Sequence, residues 1–221
     1  MGRGHAPAAL GDPVRLMGER TRLSIFPLPG ALLFPRMHLP LHIFEPRYRA
    51  MVSDSLARDR RIGMIQPRGP GQVPPLFEIG CVGRIAHFEA LDDGRYNLVL
   101  EGVALFRILR ELDVTTAFRQ VEAELLPYPA EPETLAHPAR AALENEARRF
   151  ADAQGYAVDW DAVTKLDDES LVNGVAQIAP FDAAAKQALL ESPDLAARAE
   201  LLTQLMAFFG RTGDADEVTL Q

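Results

Sequence analysis

Cysteine is nearly absent. Cys81 stands alone, so no intrachain disulfide can form and one thiolate cannot build a zinc site. Lysine is almost as rare: Lys165 and Lys186 are the only two, and arginine carries the positive charge. Neither lysine has a glycine within the four residues before it, and neither Gly-x-x-x-x-Gly-Lys-Ser/Thr nor Gly-x-Gly-x-x-Gly occurs. A nucleotide would find no backbone cradle and no lysine for its phosphates, which excludes ATP hydrolysis. Long apolar runs are missing too. The longest, Leu23 to Phe34, is broken by Pro27, Pro29 and Gly30, well short of the roughly 18 residues of a membrane-spanning helix. Met1 to Pro13 has no apolar stretch and does not read as a secretory leader. A soluble, cytoplasmic protein is the expectation.

What is present is an ordinary globular composition with an uneven charge. The net charge is −8. Residues 1–120 hold 16 arginines against 12 acids, while residues 121–221 hold 7 basic residues against 19 acids. An acidic chain does not attract a phosphate backbone as a whole, so nucleic acid is not the expected partner.

The pattern divides at Pro127-Tyr128-Pro129. Before it, short apolar stretches alternate with proline and glycine. Leu23 to Leu28 predicts an edge strand, because proline cannot donate to a ladder. Met37 to Phe44 is a second extended stretch. Glu45-Pro46 opens a helix with proline at its first position and an acid at the positive end of the dipole. Tyr48, Met51, Val52 and Leu56 form its apolar stripe. Further strands are predicted at Arg61 to Gln66, Ile79 to Leu91, Tyr96 to Leu100, Val103 to Leu109 and Phe118 to Leu125. Asp92-Asp93-Gly94 is a hairpin turn, and Glu101-Gly102 punctuates two strands. Pro67 to Pro75 is an exposed loop. After the divide, helical spacing predicts four helices: Pro138 to Ala153, Asp167 to Ala179, Asp182 to Glu191, and one opened by Ser192-Pro193 and running to Phe209.

The expected fold is α+β: a small β-barrel with one early helix, then a four-helix bundle. Its parts are a tail at 1–20, a β subdomain at 21–126, a helical subdomain at 127–210 and an acidic tail at 211–221.

Residues that could carry chemistry fit structure better. His38 and His42 are four apart, but Pro40 between them keeps the segment extended, so no helical zinc pair forms. Cys81 with His87 could form a thiol–imidazole pair, yet Cys81 lies in an apolar strand where cysteine is an inert small hydrophobe. Phe26, Phe34, Phe44, Phe77, Phe88 and Phe106 fall in apolar contexts and read as core. No catalytic residue, metal or cofactor is predicted.

One stretch is distinctive. Ile25-Phe26-Pro27-Leu28-Pro29-Gly30-Ala31-Leu32-Leu33-Phe34-Pro35, followed by Leu39-Pro40-Leu41-His42-Ile43-Phe44-Glu45-Pro46-Arg47-Tyr48-Arg49, resembles the opening of the Lon substrate-binding domain family. Ile79 to Ile85 and Leu98 to Ile108, with Glu101-Gly102, continue the likeness. The resemblance implies a PUA-like barrel followed by a helical bundle, without the ATPase and Ser-Lys peptidase modules of full Lon proteases. It also implies a non-catalytic module that binds unfolded or tagged polypeptide, or a protein partner. Arg36, His38, Arg68, Pro70 and Val73 are the expected polypeptide contacts. Pro27, Pro29, Gly30, Phe34, Pro35, Pro40, Phe44, Glu45, Pro46, Arg47, Tyr48, Glu101 and Gly102 are expected to serve mainly the fold. The alternative is an RNA-binding PUA-like protein, with Arg36, Arg60, Arg61 and Arg68 as a patch.

Overall fold

The structure, a computed structural model, describes residues 18–213 apart from Gln72. The expected tails lie almost wholly outside the described residues. Along the chain run β1 (Arg20–Pro27), β2 (His38–Ile43), α1 (Pro46–Leu56), β3 (Arg61–Ile65), β4 (Ile79–Ala90), β5 (Tyr96–Glu111) and β6 (Gln120–Leu125). Five helices follow: α2 (His137–Ala153), α3 (Trp160–Val163), α4 (Asp168–Ile178), α5 (Ala183–Leu190) and α6 (Leu195–Gly213). The described residues thus form a mixed α+β fold of six strands in one sheet and six helices.

The strand order is β2-β5-β4-β3-β1-β6, and β6 also pairs with β5. The pairings β5–β4–β3–β1–β6–β5 therefore return to their starting strand and leave β2 outside the ring, on β5 alone. All five ring strands contribute to one apolar cluster: Leu23, Ile25, Ile65, Val82, Phe106, Val121, Ala123 and Leu125. Phe106 occupies its middle, because Gly63 and Gly80 leave room for the ring. A β-carbon there would lie 3.1 Å and 2.7 Å from it. The opposite strand faces supply Phe26, Ile62, Met64, Cys81, Ile85 and Leu105 to a larger cluster shared with Tyr48, Met51 and Val52 of α1 and with Leu171, Leu189 and Leu202 of the helices. Strands buried on both faces lose the in–out alternation, which is why Arg61 to Ile65 reads as an apolar run.

Several expectations are corrected. β1 is not an edge: it lies between β3 and β6, and Pro27 is tolerated as its last residue. Glu101-Gly102 does not separate two strands. Val82 faces Ala104 while Gly83 faces Gly102, so Val103 is the extra residue of a bulge, which bends one long strand instead of ending it. Phe44 is 60% exposed and Phe88 also reaches the surface; their local apolar context did not reveal that only His42 and Arg60, respectively, lie against their rings. The last helix starts later than Ser192-Pro193 suggests. Its cap is Asp194, whose carboxylate accepts from the Ala197 N–H at 2.8 Å, and the helix continues to Gly213. α3 is a short helix that spacing alone did not predict, capped by Asp159. Asp167 and Asp182 cap α4 and α5, accepting from Ser170 and Ala185; such a cap contributes about 1 kcal/mol.

Candidate functional site

The distinctive opening segment does two different things. Its middle, residues 30–37, is wedged between the β half and the helices, with Leu32, Leu33, Phe34 and Pro35 buried. Gly30 turns the chain at φ +73°. Its carbonyl accepts from Lys186 Nζ at 2.8 Å, and its N–H donates to Gln66 Oε1 at 3.2 Å. Gln66 in turn donates to the Ala183 carbonyl and to Gln187 Oε1. Lys186 is buried and also donates to the Gln177 carbonyl at 3.0 Å; burial lowers its pKa. Arg36 donates to both oxygens of Glu169, at 3.0 and 2.7 Å, and to the Pro129 carbonyl at 2.9 Å. The Tyr128 hydroxyl donates to the same carboxylate at 2.6 Å. Burial and that bond push the phenol up to about 12. Arg198, only 2% exposed, lies over the Phe34 ring at 4.8 Å and donates to the Leu189 carbonyl and Asn173 Oδ1. Periodicity gave no sign that this arginine is buried, since burial here depends on an aromatic ring brought from 164 residues earlier in the chain.

The flanks of the segment line a cleft of about 300 Å³. Pro27, Pro29, Glu45, Arg47 and Tyr48 line it together with Pro67, Pro70, Pro74, Phe118 and Arg119. Pro46 starts α1, and Glu45 makes no cap bond but pairs with Arg47 at 2.9 Å. Arg119 is held by both oxygens of Glu111. The two arginines of the cleft are therefore paired, Arg47 with Glu45 of the lining and Arg119 with Glu111 beside it.

The residues expected to touch polypeptide do not converge. Arg36 is committed to Glu169. The His38 carbonyl accepts from Gln177 Nε2 at 2.8 Å and so points away from β5. By strand alternation Pro40 and His42 face the same way. Pro40 then costs the ladder nothing, and the free edge of β2 offers few donors to an added strand. Arg68 donates its N–H to the Pro75 carbonyl and stacks over Phe77. Pro70 lines the cleft, and Val73 is 74% exposed on the same loop. The arginines of the RNA alternative are dispersed as well. Arg60 sits over Phe88 near one end of β4 and Arg68 over Phe77 beyond the other, roughly 30 Å apart by strand rise.

The helical half holds what the sequence pattern missed: an apolar groove of about 600 Å³. Ala147, Phe150 and Ala151 of α2, Leu171 and Val175 of α4 and Met206 of α6 line it, with Tyr156 and Val158 from the α2–α3 connection and Trp160 at the start of α3. Ile178, at the end of α4, stands 81% exposed at its border. The available signal was Tyr156-Ala157-Val158 with Trp160, apolar residues between helices and outside any periodic stripe.

Cys81 is buried and its thiol is pushed up by desolvation, so it is no nucleophile at neutral pH. Among the described residues no group of three His, Cys, Asp or Glu side chains is placed to hold a metal ion. Nor, among them, is any helix long and apolar enough to cross a membrane.

The architecture is shared with solved domains. The Lon N-terminal domain protein of Xanthomonas campestris superposes with a TM-score of 0.62 at 23% identity, covering 85% of this chain and 98% of that one. The N-terminal domain of the Mycobacterium avium complex Lon protease does so at 0.60 and 18% identity. The fold is thus that of these Lon N-terminal domains. The family model of the ATP-dependent protease La (LON) substrate-binding domain matches residues 22–207, and the chain belongs to that family. Among bacterial relatives, Lon protease 2 of Sorangium cellulosum is 33% identical over 91 residues, 39% of this chain and 11% of the relative. Lon protease 2 of Bdellovibrio bacteriovorus is 23% identical over 193 residues, 84% of this chain and 24% of the relative. The chain thus spans a quarter or less of these two proteases.

Proposed function

We propose that this domain is a non-catalytic adaptor that captures unfolded or tagged polypeptide, and that the groove of the helical half is where the polypeptide sits. The observation that carries the reading is Ile178, 81% exposed beside a groove of apolar side chains. Leaving such a residue in water is costly, and an apolar patch of this kind marks an interaction surface. Each bulky side chain that a bound segment buries contributes about 1.5–3 kcal/mol. Affinity then depends on several anchors seated together, which suits a loosely specific binder. The family's description as a substrate-binding domain supports the same reading.

In this proposal the β half is a PUA-like barrel, supported by the closed ring of strand pairings, and the helical half acts as a bundle built on α2, α4, α5 and α6. Arg68, Pro70 and Val73 offer a secondary contact on their loop. The role suits a cytoplasmic setting.

The test is a titration of the protein against a fluorescently labelled, permanently unfolded polypeptide, without ATP, followed by anisotropy. Saturable binding in the micromolar range is expected, with at least a tenfold loss in Ile178→Asp. Absence of saturable binding by the unaltered protein would remove the reading.

A further inference from the structure

We infer that the groove selects segments in which bulky apolar side chains are flanked by lysine or arginine. This rests on the groove being the seat of polypeptide binding. The apolar lining accounts for the bulky side chains, and the rim accounts for the flanking charge. Asp152 stands at the end of α2, and Asp159 and Asp161 flank Trp160; all three are exposed. None of them has a basic group within ion-pair distance among the described residues. Of the four basic residues nearby, two are committed elsewhere. Arg140 is paired with Glu144 and Asp168, and Arg149 with Glu146. Arg148 lies over the Trp160 ring at 4.3 Å, and Lys165 follows α3.

Residues 140–168, from α2 to the start of α4, carry seven acids against four basic residues, a net of −3. The field around the mouth is therefore negative, and a negative rim around a low-dielectric groove concentrates cationic segments. The cleft at the opening segment lacks this property, because Glu45 and Glu111 neutralise Arg47 and Arg119.

Three labelled peptides test this, each with the same Leu- and Phe-rich centre, flanked by lysine, serine or glutamate. At low salt the lysine-flanked peptide is expected to bind about tenfold more tightly than the glutamate-flanked one, and the gap should close at high salt. The double variant Asp152→Asn/Asp161→Asn keeps the shape and removes two charges, and should reduce the gap to about threefold. Equal binding of all three peptides at low salt, or a gap that the double variant leaves intact, overturns the inference while the groove stands. If Ile178→Asp weakens none of them, or if none binds at all, the underlying reading falls instead.

Discussion

Arg36 of the β half and Glu169 of α4 meet through two hydrogen bonds, 3.0 and 2.7 Å, although 133 residues separate them in sequence. Arg36 adopts φ 66°, a left-handed conformation that a side chain rarely takes. The backbone strain is offset by the carboxylate it reaches. Glu169 is buried and Arg36 part-exposed, so the pair joins the two halves where a buried carboxylate meets the surface.

Arg36→Ala should lower unfolding stability by about 2 kcal/mol, because it leaves a buried carboxylate with only Tyr128 as partner; the part-exposed guanidinium keeps the loss below that of a fully buried pair. Arg36→Gly loses the same bonds but relieves the backbone, and should recover about 1 kcal/mol of that loss. Urea denaturation of the two variants checks the order. If alanine and glycine are equivalent, the strain is not there.

Gly102→Ala should be among the most damaging single substitutions. A β-carbon there would lie 1.9 Å from the Phe34 carbonyl oxygen. The Gly102 N–H also donates to the Met37 carbonyl, and its own carbonyl accepts from the Arg36 N–H, both at 2.8 Å. The segment cannot move aside without losing both bonds. A loss of about 3 kcal/mol or more is expected, read as a lowered Tm.

Alkaline titration should expose Tyr128. Burial and the Glu169 bond raise its folded pKa to about 12, against about 10 in an unfolded chain. A raised folded pKa means that its contribution is complete below pH ~10 and is lost as pH rises toward ~12. Tyr128→Phe should flatten that part of the stability profile. An unchanged slope above pH ~10 would assign the loss to other groups.

Val73→Asp and Ile178→Asp separate the two surfaces. Both residues are highly exposed, 74% and 81%, so each variant should keep its stability within about 0.5 kcal/mol. Polypeptide affinity should fall in Ile178→Asp and change little in Val73→Asp. The reverse outcome, read by anisotropy, would move the site to the Pro67–Pro75 loop.

Much of this molecule was legible because its cause is local. Asp182 caps α5 through a carboxylate three residues from the N–H it accepts from. Asp92-Asp93-Gly94 turns a hairpin because Gly94 alone must reach φ +79°. The opening segment pointed to its family because prolines and glycine at fixed spacing leave few backbone courses, and the stripe Tyr48, Met51 and Val52 needed only helical geometry to face inward.

Tertiary structure decided what depends on the far side of a contact. It buried Arg198 by bringing Phe34 over it, and left Phe44 exposed with only the His42 ring against it. It turned Glu101-Gly102 from an apparent break into the floor beneath Phe34. It joined Arg36, expected on a binding surface, to Glu169, and it gathered Tyr156, Trp160 and Ile178 around one groove. Spacing along a chain reports which face a residue takes on its own element. Whether that face meets a core, a carboxylate or water is decided by the element packed against it.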